Sequence, residues 1–213
     1  MNLTLLPQSF LVRTGPVDHA VWNYGGLLGV IQRRRFWLVL RLLSSRTFKS
    51  VLEVGYGSGV FLPELAKRCS ELYGIDIHTC DREVTAALSR VGVHATLRSG
   101  SVTAMPFSDA SFDCLVAVSA LEFVDDLDAA CAEIARILRP DGTLVVVTPG
   151  HSVLLDLGLR FLTGQSAKMD FGDRREKIEP ALQRHFKVLQ RRHFPPFVPA
   201  AGRVYCSFLM RKL

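Results

Sequence analysis

The chain has 213 residues, 48% of them hydrophobic and 22% charged, which is enough apolar material for one globular domain with a sizeable core. Its net charge of +6 invites a nucleic-acid partner, but the arginines are scattered and lack the aromatic-interleaved stripe of a nucleic-acid groove, so we expect none. The five cysteines form no CxxC pair and have no zinc-like spacing, so we expect neither a disulfide framework nor a zinc site. The sequence also shows no signal peptide and no long apolar run, which predicts a soluble cytoplasmic protein.

Residues 1–49 precede the regular part of the sequence and are predicted to form a helical extension that covers the substrate. Apolar positions between Asp18 and Ser44 indicate one or two helices, with a break at Gly25-Gly26. The second helix carries Arg33-Arg34-Arg35. It either packs against the sheet with these arginines in solvent, or lies on a membrane surface with the arginines facing the lipid headgroups. The sequence favours the packed helix, and peripheral membrane contact near Arg33 stays open.

From residue 50 onward, strands alternate with helices or loops. The predicted strands span 51–54, 72–75, 95–98, 114–118 and 143–148, and the predicted helices span 60–70, 82–91 and 127–138. Asp125 or Asp126 is the expected N-cap of the third helix, and residues 139–142 are a predicted turn. This alternation implies a right-handed, doubly wound parallel sheet.

The rest of the chain is less regular. We expect a helix near 153–162, a loop at 164–172 that could close over a site, and a helix at 178–185. Two further strands, at 186–192 and 203–210, are separated by prolines and are predicted to form a terminal hairpin at the edge of the sheet.

A glycine-rich turn at Gly55, Gly57 and Gly59 follows the first predicted strand and precedes a predicted helix. Glycine lacks a Cβ, so a ligand can lie directly against such a turn. A strand, a glycine turn and a helix together form a nucleotide-binding crevice in open α/β sheets. The dinucleotide fingerprint places its third glycine one position later, where this chain has Val60. The turn therefore indicates a nucleotide-type cofactor other than a dinucleotide.

Two acidic residues accompany this turn. Glu53 ends a buried strand, a costly place for a carboxylate without partners, so it either ties down the loop amides or attracts a cationic ligand. Asp76 ends the second strand, where a carboxylate can accept both hydroxyls of a ribose. The alternative is that Asp76 caps the next helix, but Thr79 and Asp81 are better placed to do so. We therefore expect Asp76 to hold a ribose.

Four segments in this order resemble the class I S-adenosylmethionine-dependent methyltransferases. They are Val-Leu-Glu-Val-Gly-Tyr-Gly-Ser-Gly (51–59), Gly-Ile-Asp-Ile (74–77), Met-Pro-Phe-Ser-Asp-Ala-Ser-Phe-Asp (105–113) and Ile-Leu-Arg-Pro-Asp-Gly-Thr-Leu (137–144). The resemblance implies a Rossmann-like, doubly wound α/β fold, with a seven-stranded sheet that is mostly parallel and has an antiparallel terminal strand. Residues 50–213 would form this cofactor-binding domain.

The resemblance also implies that S-adenosylmethionine binds at the turn and leaves as S-adenosylhomocysteine. Glu53 and the glycines would cradle its amino acid part, Asp76 its ribose, and Ile77 would flank the adenine. In the loop after the third strand, the family usually has Asp followed by a small residue that recognises the adenine. This chain has Ser101-Val102 there, so the Ser101 hydroxyl or the Val102 backbone amide would have to bind the adenine. The predicted cofactor-binding residues are Glu53, Gly55, Tyr56, Gly57, Gly59, Asp76, Ile77, Ser101, Val102 and Ser119.

Methyl transfer from a sulfonium mainly needs alignment and exclusion of water, so no fixed catalytic signature is expected. The candidates by position are Glu122 after the fourth strand, His19 and Tyr24 in the N-terminal cover, and His151 after the fifth strand. None of them is singled out, because a lone histidine is more often structural than catalytic.

The leading hypothesis is methyl transfer to a small apolar or aromatic acceptor, such as a lipid, a quinone precursor or a natural product. One alternative is a non-catalytic partner subunit that binds the cofactor. A nicotinamide-dependent oxidoreductase is disfavoured by the glycine spacing and by the missing Tyr-x-x-x-Lys pair. The acceptor and the oligomeric state stay open.

Overall fold

The computed structural model describes residues 3–16, 18–150 and 174–213. The predicted helix at 153–162 and the predicted loop at 164–172 lie outside the described residues, as does the catalytic candidate His151.

The described residues form one seven-stranded sheet. Its strands are β1 (Phe48–Val54), β2 (Cys69–Asp76), β3 (Thr96–Ser99), β4 (Phe112–Val118), β5 (Leu138–Pro149), β6 (Phe186–Phe194) and β7 (Tyr205–Lys212). They lie in the order β3-β2-β1-β4-β5-β7-β6, with β1 to β5 parallel. β7 runs antiparallel to both β5 and β6. The predicted mostly parallel Rossmann-like sheet with an antiparallel terminal strand is confirmed.

Helices cover both faces of this sheet. They are α1 (Gly26–Leu43), α2 (Leu62–Ala66), α3 (Asp81–Ser89), α4 (Leu127–Ile137) and α5 (Arg174–Gln183). α1 begins at Gly26, so the predicted break at the glycine pair is confirmed. Asp126 caps α4, its Oδ1 accepting a hydrogen bond of 2.9 Å from the Ala129 N–H. Among the described residues, none of the helices has the length and apolarity needed to span a membrane.

Successive residues of the central strands belong alternately to two separate apolar cores, one on each face of the sheet. Val51 and Val116 point into the core beneath α1, α2 and α3, whereas Leu52 and Leu115 point into the core beneath α4 and α5. Side chains of successive strand residues project to opposite faces, which explains the unbroken apolar runs of β1 and β4. These two buried strands give the site at their carboxyl ends a rigid base.

Two element boundaries differ from the prediction. The predicted helix at 60–70 is only the short α2, because β2 begins at Cys69, where it pairs with Phe48 of β1. The predicted turn at 139–142 lies inside β5 as an irregularity: Leu138 pairs with Phe112 of β4, and Thr143 pairs with Cys114. Sheet pairing thus extends strands into segments whose local sequence favours a helix or a turn.

The N-terminal segment is held against the glycine turn and α2. The Leu6 N–H donates to the Val60 carbonyl at 3.1 Å, and the Thr4 N–H donates to Glu64 Oε2 at 2.8 Å. Buried residues of α1, including Phe36, belong to the same core as the sheet. Residues 3–16 and 18–43 therefore cover the sheet near the turn. The proposed division into 1–49 and 50–213 stays a prediction.

Candidate functional site

A cavity of about 810 Å³ lies where the strand order reverses, between the carboxyl ends of β1 and β4. This is the position at which open α/β sheets bind ligands, because the chain leaves the two neighbouring strands toward opposite faces. The glycine turn after β1, the loops after β2, β3 and β4, the N-terminal segment and α1 all contribute to its wall. Its volume is toward the upper end of the range of roughly 300–1,000 Å³ for small-molecule sites.

The turn after β1 has a backbone that requires glycine. Gly55, Gly57 and Gly59 have φ angles of +73°, +52° and +75°, in the left-handed region that side chains disfavour. A Cβ at Gly55 would overlap the Ala120 methyl group, and one at Gly59 would lie 2.9 Å from Val84 Cγ1. Gly57 has open space beside it. The turn is therefore packed closely at its two ends and is open to a ligand in the middle.

Residues at the end of β2 hold this turn in place. Asp76 Oδ2 accepts from the Gly57 N–H at 2.7 Å, and Asp76 Oδ1 accepts from the Ile77 N–H at 2.7 Å. Each carboxylate oxygen keeps a second lone pair for a ligand hydroxyl. The arrangement therefore leaves Asp76 able to accept the two hydroxyls of a ribose while it supports the turn.

His78 supports the same turn through the carbonyl of Gly57, a role that its sequence position does not indicate. Its Nδ1 accepts from the Cys80 N–H at 3.1 Å, so the neutral ring carries its proton on Nε2. Nε2 lies 3.0 Å from the Gly57 carbonyl oxygen and donates to it. The ring also meets the edge of Tyr56, with 4.9 Å between centroids. Asp76 and His78 at the end of β2 thus fix both backbone polar groups of Gly57 in the turn.

Several buried polar atoms around the turn lack a hydrogen-bond partner within the described residues. They are Glu53 Oε2, Tyr56 Oη, Ser58 Oγ and Ser119 Oγ. Glu53 is only 3% exposed, and burial raises the pKa of its carboxyl well above the usual range, although Arg35 opposes the shift. A buried carboxylate without a partner is costly, whereas a bound ammonium group would compensate its charge. These residues fit a cofactor with a cationic amino acid part.

The residues predicted to flank an adenine lie in the cavity wall. Ile77 is 82% exposed at the cavity rim, a surface on which an aromatic ligand could rest. Ser101 and Val102 also line the cavity. The Ser101 hydroxyl lies 2.7 Å from Thr103 Oγ1 and accepts from the Thr103 N–H at 3.2 Å, so it shapes its own loop. All ten predicted cofactor-binding residues except Gly59 line the cavity, and Gly59 packs beneath it.

Glu122 lies deep in the cavity wall, within the short turn Leu121–Phe123 that follows β4. It is 1% exposed, and neither carboxyl oxygen has a hydrogen-bond partner among the described residues. Burial raises the pKa of this carboxyl to about 7, opposed by the nearby backbone N–H of Glu122 itself, which lacks the geometry of a hydrogen bond, and by the charges of Arg35 and Arg175. A carboxyl that titrates near neutrality can accept a proton from a bound molecule.

The other catalytic candidates have different surroundings. His19 lines the cavity and stacks on Trp22, with 4.0 Å between ring centroids. Tyr24 is not in the described cavity wall; its hydroxyl donates to the Leu6 carbonyl, and burial raises its pKa to about 12. Tyr24 therefore joins the N-terminal segment to α1 and has no free hydroxyl for the cavity.

The three consecutive arginines of α1 make three separate contacts. Arg33 donates to the Asn23 carbonyl, and Arg34 lies over the ring of Phe194 at 5.4 Å. Arg35 instead lines the cavity. The helix turns about 100° per residue, so three adjacent charges face three directions. The sequence shows a single cluster, and only the helix geometry reveals that one member reaches the site.

The chain is similar to known proteins over this same region. Residues 52–146 match the family model described as a methyltransferase domain. Ubiquinone/menaquinone biosynthesis C-methyltransferase UbiE of Hahella chejuensis is 33% identical over 112 residues, which are 48% of this chain and 43% of that protein. The chain therefore matches less than half the length of this curated relative.

Solved structures extend the likeness to nearly the whole fold. N-methyltransferase NodS of Bradyrhizobium japonicum, in complex with S-adenosylhomocysteine, has a TM-score of 0.66 at 20% identity, covering 96% of this chain and 97% of that one. The [4+2]-cyclase SpnF has a TM-score of 0.67 at 16% identity, covering 89% and 84%. At these identities the likeness shows the fold alone.

Proposed function

We propose that this chain, which carries a class I S-adenosylmethionine-dependent methyltransferase domain, transfers a methyl group from that cofactor to a small acceptor. The observation that carries the proposal is the turn at Gly55–Gly59 with Asp76 beside it and with Glu53 beneath it, whose Oε2 has no hydrogen-bond partner among the described residues. Together these residues match the amino acid part and the ribose of one molecule.

The residues divide into two groups, which we name by their proposed roles. The cofactor subsite consists of Glu53, the turn 55–59, Asp76 and His78. Glu53 would face the ammonium group, because the two opposite charges compensate each other in a buried place. S-adenosylmethionine, when bound, supplies a methyl group that is already activated by the positive charge on sulfur. The protein's tasks are then to orient the acceptor and to exclude water.

The acceptor subsite consists of Arg35, Glu122 and Tyr205, which line the same cavity. Apolar residues, among them Trp22, Phe36 and Phe61, complete this wall. Wide apolar walls with a few polar groups are typical of sites for small organic molecules. This combination supports an apolar or aromatic acceptor, in the range of lipids, quinone precursors and natural products.

Another use of the fold must be weighed, because the similar structure SpnF is a cyclase. A protein that binds the cofactor without methyl transfer, either as a partner subunit or with other chemistry, would need the cofactor subsite alone. The buried Glu122 is not needed to bind the cofactor, and a buried unpaired carboxyl lowers stability. Its presence favours a catalyst over a binding partner.

Calorimetric titration tests cofactor binding. We expect S-adenosylmethionine and S-adenosylhomocysteine to bind and NADH not to bind. Asp76→Asn keeps an acceptor for the Gly57 N–H but loses the charge, so adenosyl-ligand binding should weaken by roughly 1.5–3 kcal/mol. Asp81→Asn, in α3 and outside the described cavity wall, is the matched control and should bind normally. Binding of NADH alone would refute the proposal.

The cellular setting remains a proposal as well. The five cysteines are free, which supports the cytoplasm as the compartment. Contact between α1 and a membrane surface stays a prediction, and among the three adjacent arginines Arg34 is the exposed one.

A further inference from the structure

Arg35 is held so that part of its guanidinium group stays available to a ligand. Its Nη2 donates to Asn23 Oδ1 at 3.3 Å, and Asn23 is fully buried. Its guanidinium carbon lies 4.8 Å from the centre of the Phe36 ring. The Nε–H is buried and has no hydrogen-bond partner within the described residues. Nη1 makes no hydrogen bond there either and is not among the buried atoms, so its N–H groups are the ones open to a ligand. A fixed guanidinium with unpaired N–H groups in a cavity wall is a typical anion-binding arrangement.

The groups near Arg35 are acidic or weakly acidic. Its charge acts on the carboxyls of Glu53 and Glu122 and on the hydroxyl of Tyr205, and in each case it lowers the pKa against the effect of burial. The Tyr205 hydroxyl donates to Gln32 Oε1 at 3.1 Å, and Gln32 lies one helical turn before Arg35. No ion pair within 4 Å joins Arg35 to either carboxylate in the part of the chain that the structure describes. The guanidinium is therefore near two acids without being neutralised by direct contact.

The charge of the bound cofactor narrows the choice of acceptor. S-adenosylmethionine has a sulfonium, an ammonium and a carboxylate, so it brings a net positive charge into a cavity that already contains Arg35. The acids of the cavity wall other than Glu122 have partners elsewhere. Asp125 pairs with Arg174, Asp126 caps α4 and Asp18 accepts from Thr14 and Ala20, while Glu53 and Asp76 would face the ammonium group and the ribose. An acceptor that stayed cationic would meet two like charges in a buried place, which is unfavourable. An acceptor that becomes an anion would be stabilised by both. Glu122 is the buried base that can take up the proton released in that ionisation.

We propose that Arg35 and Glu122 together select an acceptor with a weakly acidic hydroxyl group, a phenol or an enol, and bind it as its anion. This inference rests on the proposed function and names the acceptor class of that same site. The O–H bond of the acceptor breaks, its proton forms an O–H bond with the Glu122 carboxylate, and the negative charge moves to the acceptor oxygen beside Arg35. The net charge of the cavity does not change in this step, so no counterion has to enter.

Acid strengths favour this class over aliphatic alcohols. Burial raises the pKa of Glu122 to about 7, so its carboxylate keeps the proton when the acceptor hydroxyl is the stronger acid in the site. Phenols and enols have an acidity close to that of Tyr side chains or stronger, and they meet this condition when Arg35 stabilises their anion. An aliphatic hydroxyl is a far weaker acid and would leave Glu122 ionised. Once ionised, a phenolate is a strong nucleophile toward a methyl group and needs no further activation.

The test uses 4-nitrophenol as a probe, because its phenolate absorbs visible light and its neutral form does not. The protein is first saturated with S-adenosylhomocysteine, so no methyl transfer can occur. We expect the bound probe to show the phenolate spectrum and Arg35→Gln to weaken its binding by at least about 10-fold, the effect of one charge-assisted hydrogen bond. Arg34→Gln is the matched control, because Arg34 stacks on Phe194 and is absent from the described cavity wall. It should leave binding unchanged.

A neutral analogue and a milder variant separate the possible outcomes. 4-Nitroanisole has the same ring without an ionisable hydroxyl, so its binding should be equal in the wild type and in Arg35→Gln. If Arg35→Gln does not fold, Arg35→Lys replaces it; weaker phenolate binding in this variant supports the proposal, and unchanged binding overturns it. Equal probe affinity in Arg35→Gln and Arg34→Gln, or a bound probe in its neutral form, also overturns it.

The role of Glu122 is tested by counting protons. Calorimetry of 4-nitrophenol binding in buffers of different ionisation enthalpy measures how many protons pass to the solvent. The wild type should retain the phenol proton on Glu122 and release almost none, whereas Glu122→Gln should release it to the buffer. If both proteins release the same number of protons, Glu122 does not accept the phenol proton and this part of the proposal is wrong. If the wild type does not bind S-adenosylhomocysteine at all, the proposed function itself is wrong, so the two failures are distinguishable.

Discussion

The two subsites of the cavity are built in different ways. In the cofactor subsite, hydrogen bonds from the β2 end fix the turn: Asp76 and His78 hold the N–H and the carbonyl of Gly57. In the acceptor subsite, Glu122 has no hydrogen-bond partner among the described residues, and the Arg35 Nε–H is also free there. A site that must hold one fixed ligand can be completed by backbone hydrogen bonds, whereas a site that moves a proton must keep its groups free.

The two subsites also differ in how far apart their residues lie in the sequence. The cofactor subsite comes from two neighbouring parallel strands and the loops directly after them, residues 53–78. The acceptor subsite joins α1, the loop after β4 and the first residue of β7. Changes in the cofactor subsite should therefore act through local backbone geometry. Changes in the acceptor subsite should act through charge.

The largest effect is expected for Gly55→Ala, which tests the backbone geometry of the cofactor subsite. A left-handed φ of +73° costs a residue with a Cβ about 1–2 kcal/mol, and overlap with the Ala120 methyl group adds about 1–3 kcal/mol. We expect the free energy of unfolding to fall by about 4 kcal/mol and adenosyl-ligand binding to be lost. Chemical denaturation and calorimetry measure the two effects.

Two control variants separate the contributions to this effect. Gly92→Ala has a similar φ of +72° with open space around its Cβ, so it should show the conformational cost alone and bind ligand normally. Adding Ala120→Gly to Gly55→Ala removes the overlapping methyl group and should recover the packing part of the loss. If the double variant is no more stable than Gly55→Ala, the turn is not limited by contact with Ala120.

The second prediction concerns Glu122 and the charge of the acceptor subsite. Its pKa is raised from an ordinary value of 4.5 to about 7, so the folded state binds more protons than the unfolded state between these values. The contribution of Glu122 to stability is then present below pH 4.5 and is lost as pH rises through about 7. The size of this loss is about 3 kcal/mol, at 1.36 kcal/mol for each pKa unit.

Glu122→Gln should remove this pH dependence. Measured by denaturation without ligand from pH 4 to pH 8, the stability of the wild type relative to Glu122→Gln should fall by about 3 kcal/mol. The exposed Glu71→Gln is the matched control and should follow the wild type, because its side chain is 45% exposed beside Lys49. Parallel curves for the wild type and Glu122→Gln would show that the buried carboxyl titrates at an ordinary pH.

The cofactor subsite could largely be predicted from the sequence, because its parts are local. The glycine spacing, Glu53 and Asp76 follow buried strands whose apolar runs mark them clearly. Parallel pairing of β1 with β2 then brings the two strand ends together. His78 was missed since a histidine two residues after Asp76 gives no signal by itself. Its role follows only from its position relative to the turn, where its side chain reaches back to the Gly57 carbonyl.

The acceptor subsite could not be predicted in the same way. Arg35 stands in a run of three arginines, and which of them faces the cavity depends on the rotation of α1, which packing against the sheet determines. Tyr205 joins the site through the antiparallel pairing of β7 with β5. Glu122 was a candidate by position, but its burial without a partner depends on contacts between distant elements. Residues from such separate segments converge only in the folded chain.

The smallest predicted effect tests whether His78 belongs to the cofactor subsite. His78→Asn keeps a side-chain oxygen that can accept from the N–H of Cys80, the residue before α3, as Asn does in Asx turns. The shorter side chain does not reach the Gly57 carbonyl, which now lies 3.0 Å from Nε2. Loss of one neutral hydrogen bond should weaken S-adenosylhomocysteine binding by about 1 kcal/mol, or roughly 5-fold.

This effect should appear in ligand affinity more than in stability, because the hydrogen bond from the Cys80 N–H is preserved and only the support of the turn is lost. Calorimetry gives the affinity, and a thermal transition close to that of the wild type would show that the fold is intact. His94→Asn replaces an exposed histidine outside the described cavity wall and should change neither quantity. Equal affinities of the wild type and His78→Asn at neutral pH would mean that Asp76 alone fixes the turn.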